Sequence, residues 1–206
     1  LHKRGYRPLM ADAPLKENLA AGLVQITEWE GKRPLIDIMC GSGTLLIEAI
    51  SQCLRIPNIT KKKYLFENWI DFKKDIFTSE KLKLMNNKMS GLKVSKVIGC
   101  EINIDIFEQA QKNISLAGLE NYVELHNSDF TKLIVNEEPG IILCNPPYGK
   151  RIGEEQELID LYSQLGDFLK QNCSGWTLWL LSGNPKLTRF LKMKASLKIP
   201  INNGGI

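Results

Sequence analysis

The sequence is short of the residues from which metal centres and disulfide frameworks are built. It has two histidines, His2 and His126, far apart, and five cysteines with no Cys-x-x-Cys pair among them. A metal site therefore lacks ligands at workable spacing, no disulfide scaffold is expected, and reduced thiols point to the cytoplasm. Long apolar runs are missing as well. None approaches the roughly 18 residues of a membrane span, and the start is polar and basic rather than signal-like. Neither membrane nor metal is expected as a partner. Internal repeats and low-complexity tracts are also absent.

What is present is enough for one good core: 206 residues, 43% hydrophobic and 24% charged. The net charge of +4 is unevenly placed. Residues 54–98 hold eleven Lys/Arg against four Asp/Glu, so the rest of the chain sums to −3. That segment opens with Lys61-Lys62-Lys63 and carries Tyr64, Phe66 and Trp69. Such a run reads as a solvated helical face or as a phosphate-contacting surface.

Elsewhere strands and helices alternate. Pro14, Leu15, Leu19, Leu23 and Ile26 fit a first helix beginning near Pro14. Leu35–Met39 reads as a strand that runs into Cys40-Gly41-Ser42-Gly43-Thr44 and a helical pattern from Leu45. After the basic insertion, Val97–Glu101 is a second strand. A helix capped by Asn103 and stopped at Gly118 follows. Further strands are expected at Tyr122–His126, Gly140–Cys144 and Trp176–Leu181. Helices are expected around Glu157–Leu169 and near Lys186–Leu191, before a last extended stretch at Leu197–Ile201. This alternation implies an α/β fold, a mostly parallel sheet covered on both faces.

The chemistry gathers at strand ends, where open α/β sheets bind ligands. Gly41 and Gly43 permit a tight turn onto a helix start. Glu101 would accept from both hydroxyls of a ribose, and Asp129 from an adenine amine, with Phe130 over the ring. After the fourth strand comes Asn145-Pro146-Pro147-Tyr148. Its two prolines end the strand and stiffen the backbone. The Asn145 side-chain oxygen and the Pro146 carbonyl would accept the two N–H bonds of a base amine and favour a pyramidal nitrogen. Tyr148 would stack on the base. Cys40 and Cys144 would suit attack on a pyrimidine ring carbon, but beside this tetrapeptide they read as core or cofactor-turn residues. His126 reads as a strand-end residue without a role.

A nicotinamide dinucleotide fits this pattern less well than S-adenosylmethionine. Leu46 stands where the third glycine of Gly-x-Gly-x-x-Gly belongs, and the acid expected about 20 residues on is missing unless Glu48 or a residue of the basic insertion serves. S-adenosylmethionine has no pyrophosphate and needs neither feature.

Several motifs in order resemble one family: Leu1-His2-Lys3-Arg4-Gly5-Tyr6-Arg7, Ala13–Ala21, Asp37-Ile38-Met39-Cys40-Gly41-Ser42-Gly43-Thr44 and Asn145-Pro146-Pro147-Tyr148-Gly149. The chain is similar to the methyltransferase domain of the THUMP-associated RNA methylases, of the bacterial type acting on guanine N2 in large-subunit ribosomal RNA. The resemblance implies a class I, Rossmann-like S-adenosylmethionine-dependent methyltransferase at 35–206, after a linker and helix at 1–34, with the THUMP domain absent from this chain. It also implies cofactor contacts from Asp37, Gly41, Gly43, Glu101 and Asp129, beside which Cys40, Ser42, Thr44 and Phe130 are further cofactor-binding candidates, and base contacts from Asn145, Pro146 and Tyr148. RNA, ribosomal by this likeness, would be held by 54–98 and the THUMP domain. Ile38 departs from the family's usual proline and Glu101 from its usual aspartate. The tetrapeptide also occurs in DNA adenine-N6 and cytosine-N4 methylases, and a nucleic-acid-binding module without catalysis is the third reading.

Overall fold

The computed structural model describes residues 4, 15–57, 64–87, 92–149 and 155–201. Strands β1 (Leu35–Asp37), β2 (Val97–Glu101), β3 (Val123–Asn127), β4 (Ile141–Cys144) and β5 (Thr177–Leu180) form one sheet in the order β3-β2-β1-β4-β5. Each pair is parallel. Every connection must therefore cross back over a face of the sheet. Helix α1 (Glu17–Ile26) precedes β1; α2 (Thr44–Cys53) and α3 (Lys74–Asn86) lie between β1 and β2, α4 (Ile104–Leu116) between β2 and β3, and α5 (Glu155–Asn172) between β4 and β5, while β3 and β4 are joined through a 3-10 turn at Phe130–Lys132.

Strand side chains alternate between two cores. Leu35, Val97, Ile141 and Leu143 meet α1, α2 and α4 through Val24, Leu46, Ile50 and Ile114. Ile36, Ile98, Ile142 and Cys144 face the other way, onto Tyr162, Leu165, Phe168 and Leu169 of α5. Fully burying one such Ile or Leu is worth about 1.5–3 kcal/mol. Burial on both faces is why these strands read as unbroken apolar runs.

Some boundaries differ from the sequence reading. β1 stops at Asp37 instead of Met39, because the Asp37 Oδ1 accepts the Met39 N–H at 3.3 Å and turns the chain. Helix α1 begins at Glu17; Pro14 lies outside the described residues. Asn103 caps α4 as expected, its Oδ1 accepting from the N–H groups of Asp105 (2.9 Å) and Ile106 (3.1 Å). The basic insertion has structure of its own: a 3-10 turn at Leu65–Asn68 and α3, which buries no residue. Its aromatic rings pack on one another, Tyr64 on Phe66 at 5.1 Å and Phe66 on Phe77 at 5.5 Å. The stretch Leu197–Ile201 pairs with no strand, and Ile201 rests against the core.

Candidate active site at the carboxyl edge of the sheet

Asp37 ends β1, Glu101 ends β2, Asp129 follows β3 and Asn145 follows β4, so one edge of the sheet carries all four. Strand order reverses between β1 and β4, the point at which open α/β sheets leave a crevice. There Leu15, Asp37, Met39, Cys40, Gly41, Ser42, Thr44, Leu45 and Asn145 line a pocket of about 100 Å3. The glycine turn and the asparagine thus share one cavity.

The turn is built by two glycines with different tasks. Gly41 (φ +53°) and Gly43 (φ +81°) both take the left-handed conformation that side chains disfavour. A Cβ on Gly41 would meet nothing within 4 Å, so its backbone faces open space; one on Gly43 would lie 3.4 Å from Ile114 Cδ1, where α4 packs. No side chain caps α2 at Gly43, and a helix start is a place where an anionic group is favoured. Ser42 and Thr44 are buried with their hydroxyls 3.4 Å apart. The sequence reading missed Asn113, fully buried on α4, whose Nδ2 donates to the Ser42 carbonyl at 3.1 Å. A polar residue beside the apolar stripe of Ala110 and Ile114 was the available signal.

The electrostatics favour a cation. Glu101 ties the two strand ends together: its Oε2 accepts from the Gly41 N–H at 3.1 Å and its Oε1 from that of Asn103 at 2.8 Å. Each oxygen keeps a second lone pair for a ligand hydroxyl. Asp37 is 1% exposed, and its Oδ2 has no hydrogen-bond partner. Burial pushes its pKa up to about 8; the Met39 N–H opposes this and the charge on Glu101 adds to it. Among the described residues no lysine, arginine or histidine lines the pocket. A bound cation would relieve Asp37, whereas a pyrophosphate would be repelled.

Asn145 is half-buried, but its Oδ1 is fully shielded and accepts no hydrogen bond. A buried acceptor left unpaired costs about 1–3 kcal/mol, which a ligand's N–H would recover. Pro146 is buried and Tyr148 half-buried; neither lines the pocket. Asp129 caps the 3-10 turn Phe130–Lys132, its Oδ1 accepting from the Thr131 N–H (2.9 Å) and hydroxyl (2.8 Å), while Oδ2 is left to a ligand. The Phe130 ring is only 6% exposed and stands edge-on to Phe168 at 5.6 Å. Its ring belongs to the α5 core, and its backbone is what it offers at the edge.

Other candidates fall away or lie elsewhere. Burial pushes the Cys40 and Cys144 thiols well above the ordinary range, with the charge on Asp37 adding to it, so neither is a thiolate near neutral pH. His126 pairs with Glu124 at 2.9 Å. Lys61, Lys62 and Lys63 lie outside the described residues. Within 64–87, four lysines are matched by four acids, so the charge excess of 54–98 belongs to its flanks. The described ends of the segment, after α2 and before β2, lie at the sheet edge opposite the pocket. There Lys96 is held by Glu137 at 2.8 Å and Glu124 at 3.0 Å. Among the described residues no cluster of three or more His, Cys, Asp or Glu could hold a metal, and no helix is long and apolar enough to cross a membrane.

A parallel sheet with this reversal, a glycine turn and an acid on the next strand define a class I S-adenosylmethionine-dependent methyltransferase fold. A family model of the RMKL-like methyltransferase domain matches residues 4–206, and the chain belongs to that family. It is 38% identical over its whole length to slr0064 of Synechocystis sp., provisionally named an RNA methyltransferase, and covers 54% of that protein. It is also 38% identical, again over its whole length, to the ribosomal RNA large subunit methyltransferase K/L of Aliivibrio fischeri, of which it covers 30%. The chain therefore spans about half or less of the curated relatives it matches. Among solved structures, that of SMU.472 complexed with S-adenosylhomocysteine superposes with a TM-score of 0.90 at 27% identity, over 99% of this chain and 53% of that one.

Proposed function

We propose that this domain methylates the exocyclic amine of an RNA base, guanine N2 in ribosomal RNA, with S-adenosylmethionine as donor. The observation that carries the reading is the shielded, partnerless Asn145 Oδ1 in the pocket of the glycine turn. When bound, S-adenosylmethionine supplies a methyl group made electrophilic by its sulfonium. Asp37 Oδ2 would hold the ammonium of its amino-acid end, Gly41 to Thr44 its carboxylate, Glu101 its ribose hydroxyls, and Asp129 with the Phe130 backbone its adenine. One pocket acceptor without a donor, Asp37 Oδ2, and an open Gly41 fit that group.

At the base, Asn145 Oδ1 and the Pro146 carbonyl each accept one N–H of the amine. That draws the nitrogen lone pair out of the ring and aims it into the pocket. Held about 3–3.5 Å apart and aligned, two reacting atoms gain up to roughly 7–11 kcal/mol over free encounter. No covalent intermediate is needed, which suits the protonated cysteines. The base must be single-stranded or flipped out, at a cost of a few kcal/mol. The basic flanks of 54–98 would hold RNA phosphates at a distance from the reacting base. The relatives' names support RNA as substrate; the tetrapeptide alone is equally suited to adenine N6 or cytosine N4.

The test is nucleoside mass spectrometry after incubating the full-length protein with labelled cofactor and either transcribed large-subunit ribosomal RNA or plasmid DNA. N2-methylguanosine in the RNA is the expected product. Label in DNA alone shifts the reading to a DNA amine methylase. Cofactor binding undetectable by calorimetry, with no label in either, leaves a binding module.

A further inference from the structure

We infer that Gly183, in the turn after β5, is a positioning residue: its missing side chain is the seat on which the Tyr148 ring rests. The inference deepens the reading of Tyr148 as the stacking partner of the target base and rests on it. A Cβ built on Gly183 would lie 2.6 Å from Tyr148 Cδ2, 2.7 Å from Cε2 and 3.1 Å from Cγ, three atoms along one side of the ring. Real side chains do not approach so closely, so any residue but glycine must displace the ring. Backbone conformation is not the reason for glycine here, since Gly183 is not among the glycines with positive φ. Space is.

The seat cannot retreat. The Ser182 hydroxyl donates to the Asn184 carbonyl at 3.0 Å and accepts the Asn184 N–H at 3.2 Å, while Asn184 Oδ1 accepts the Lys186 N–H at 3.1 Å. The Leu181 N–H donates to the Cys144 carbonyl at 2.9 Å, which couples this turn to the residue before Asn145. Tyr162, fully buried on α5, belongs to the core cluster against which Tyr148 packs. Tyr148 follows two prolines, so its backbone is stiff and its ring has little freedom except against this turn. A ring fixed in plane fixes the plane of a base stacked on it, and with it the direction in which the amine meets Asn145.

The test is a double-mutant cycle in the full-length protein: wild type, Gly183→Ala, Tyr148→Ala and the double variant. Methyl transfer into transcribed large-subunit ribosomal RNA and cofactor affinity by calorimetry are the readouts. Each single change should lower kcat/KM roughly 5- to 100-fold, the range that base–aromatic stacking commands, with cofactor affinity unchanged. The double variant should be no worse than Tyr148→Ala; additive losses overturn the inference. Harmless loss of the Tyr148 ring would instead defeat the stacking reading itself and this inference with it. If Gly183→Ala melts early, Tyr148→Ala should restore its Tm, and failure to do so overturns the seat. Ring NMR signals of Tyr148, assigned with Tyr148→Phe, should shift in Gly183→Ala; an unmoved signal rejects the contact without reference to RNA.

Discussion

The two edges of the sheet treat polar groups in opposite ways. At the carboxyl edge, Asp37 Oδ2 and Asn145 Oδ1 are shielded and partnerless. At the amino edge, Lys96 is shared between Glu124 and Glu137, which are satisfied by it in turn. Both edges are held by the same strands, so the contrast is not one of stability. An acceptor buried without a donor is a cost the fold carries for a ligand; a surface pair that closes on itself is only complementary charge.

The strongest way to break this contrast is Asn145→Ala. Turnover should fall about 10²–10³-fold, the scale of losing one aligned polar group at a transition state, with cofactor affinity intact by calorimetry. Unfolding of the variant would make the loop a structural turn. Asp37→Asn should come next, weakening cofactor binding roughly 10- to 100-fold if a charge-assisted bond to an ammonium is lost. Its pH dependence sharpens the point. The folded pKa of about 8 stands above the ordinary carboxylate value of 3.8, so between these values the folded state holds a proton the unfolded state has released. Stability of the ligand-free domain should therefore fall as pH rises from about 4 to 8, by at most about 1.4 kcal/mol per pH unit, and level off above. Melting scans should show this slope in the wild type and lose it in Asp37→Asn; equal slopes would take Asp37 out of the account.

Smaller effects are expected away from the pocket residues. Replacing Lys61, Lys62 and Lys63, which lie outside the described residues, by Gln should reduce the salt dependence of RNA binding, by up to about 0.7–0.9 in log–log slope for each lost phosphate contact. An unchanged slope leaves them as solvated charge. Lys96→Gln should cost less than about 1 kcal/mol in a denaturant titration and leave methyl transfer untouched. A large catalytic loss there would erase the distinction between the edges.

Much of this site could be read from the chain, because its parts are local signals. Two glycines between an apolar run and a helical pattern, an acid ending the next strand, and Asn145 before two prolines each declare themselves within a few residues. What escaped depends on contacts between distant segments. Asn113 reaches the Ser42 carbonyl across 71 residues, and Gly183 matters through the ring of Tyr148. Phe130 was expected over a ligand because it follows Asp129; α5 supplied Phe168 instead. β1 ended early through a side chain bonding its own backbone. The basic insertion was visible as charge, but its aromatic cluster was not, since those rings serve no sheet.

That insertion buries no residue of α3 and is rooted at the end of the domain away from the pocket. A change in its length or composition would therefore leave every described group that lines the pocket where it is.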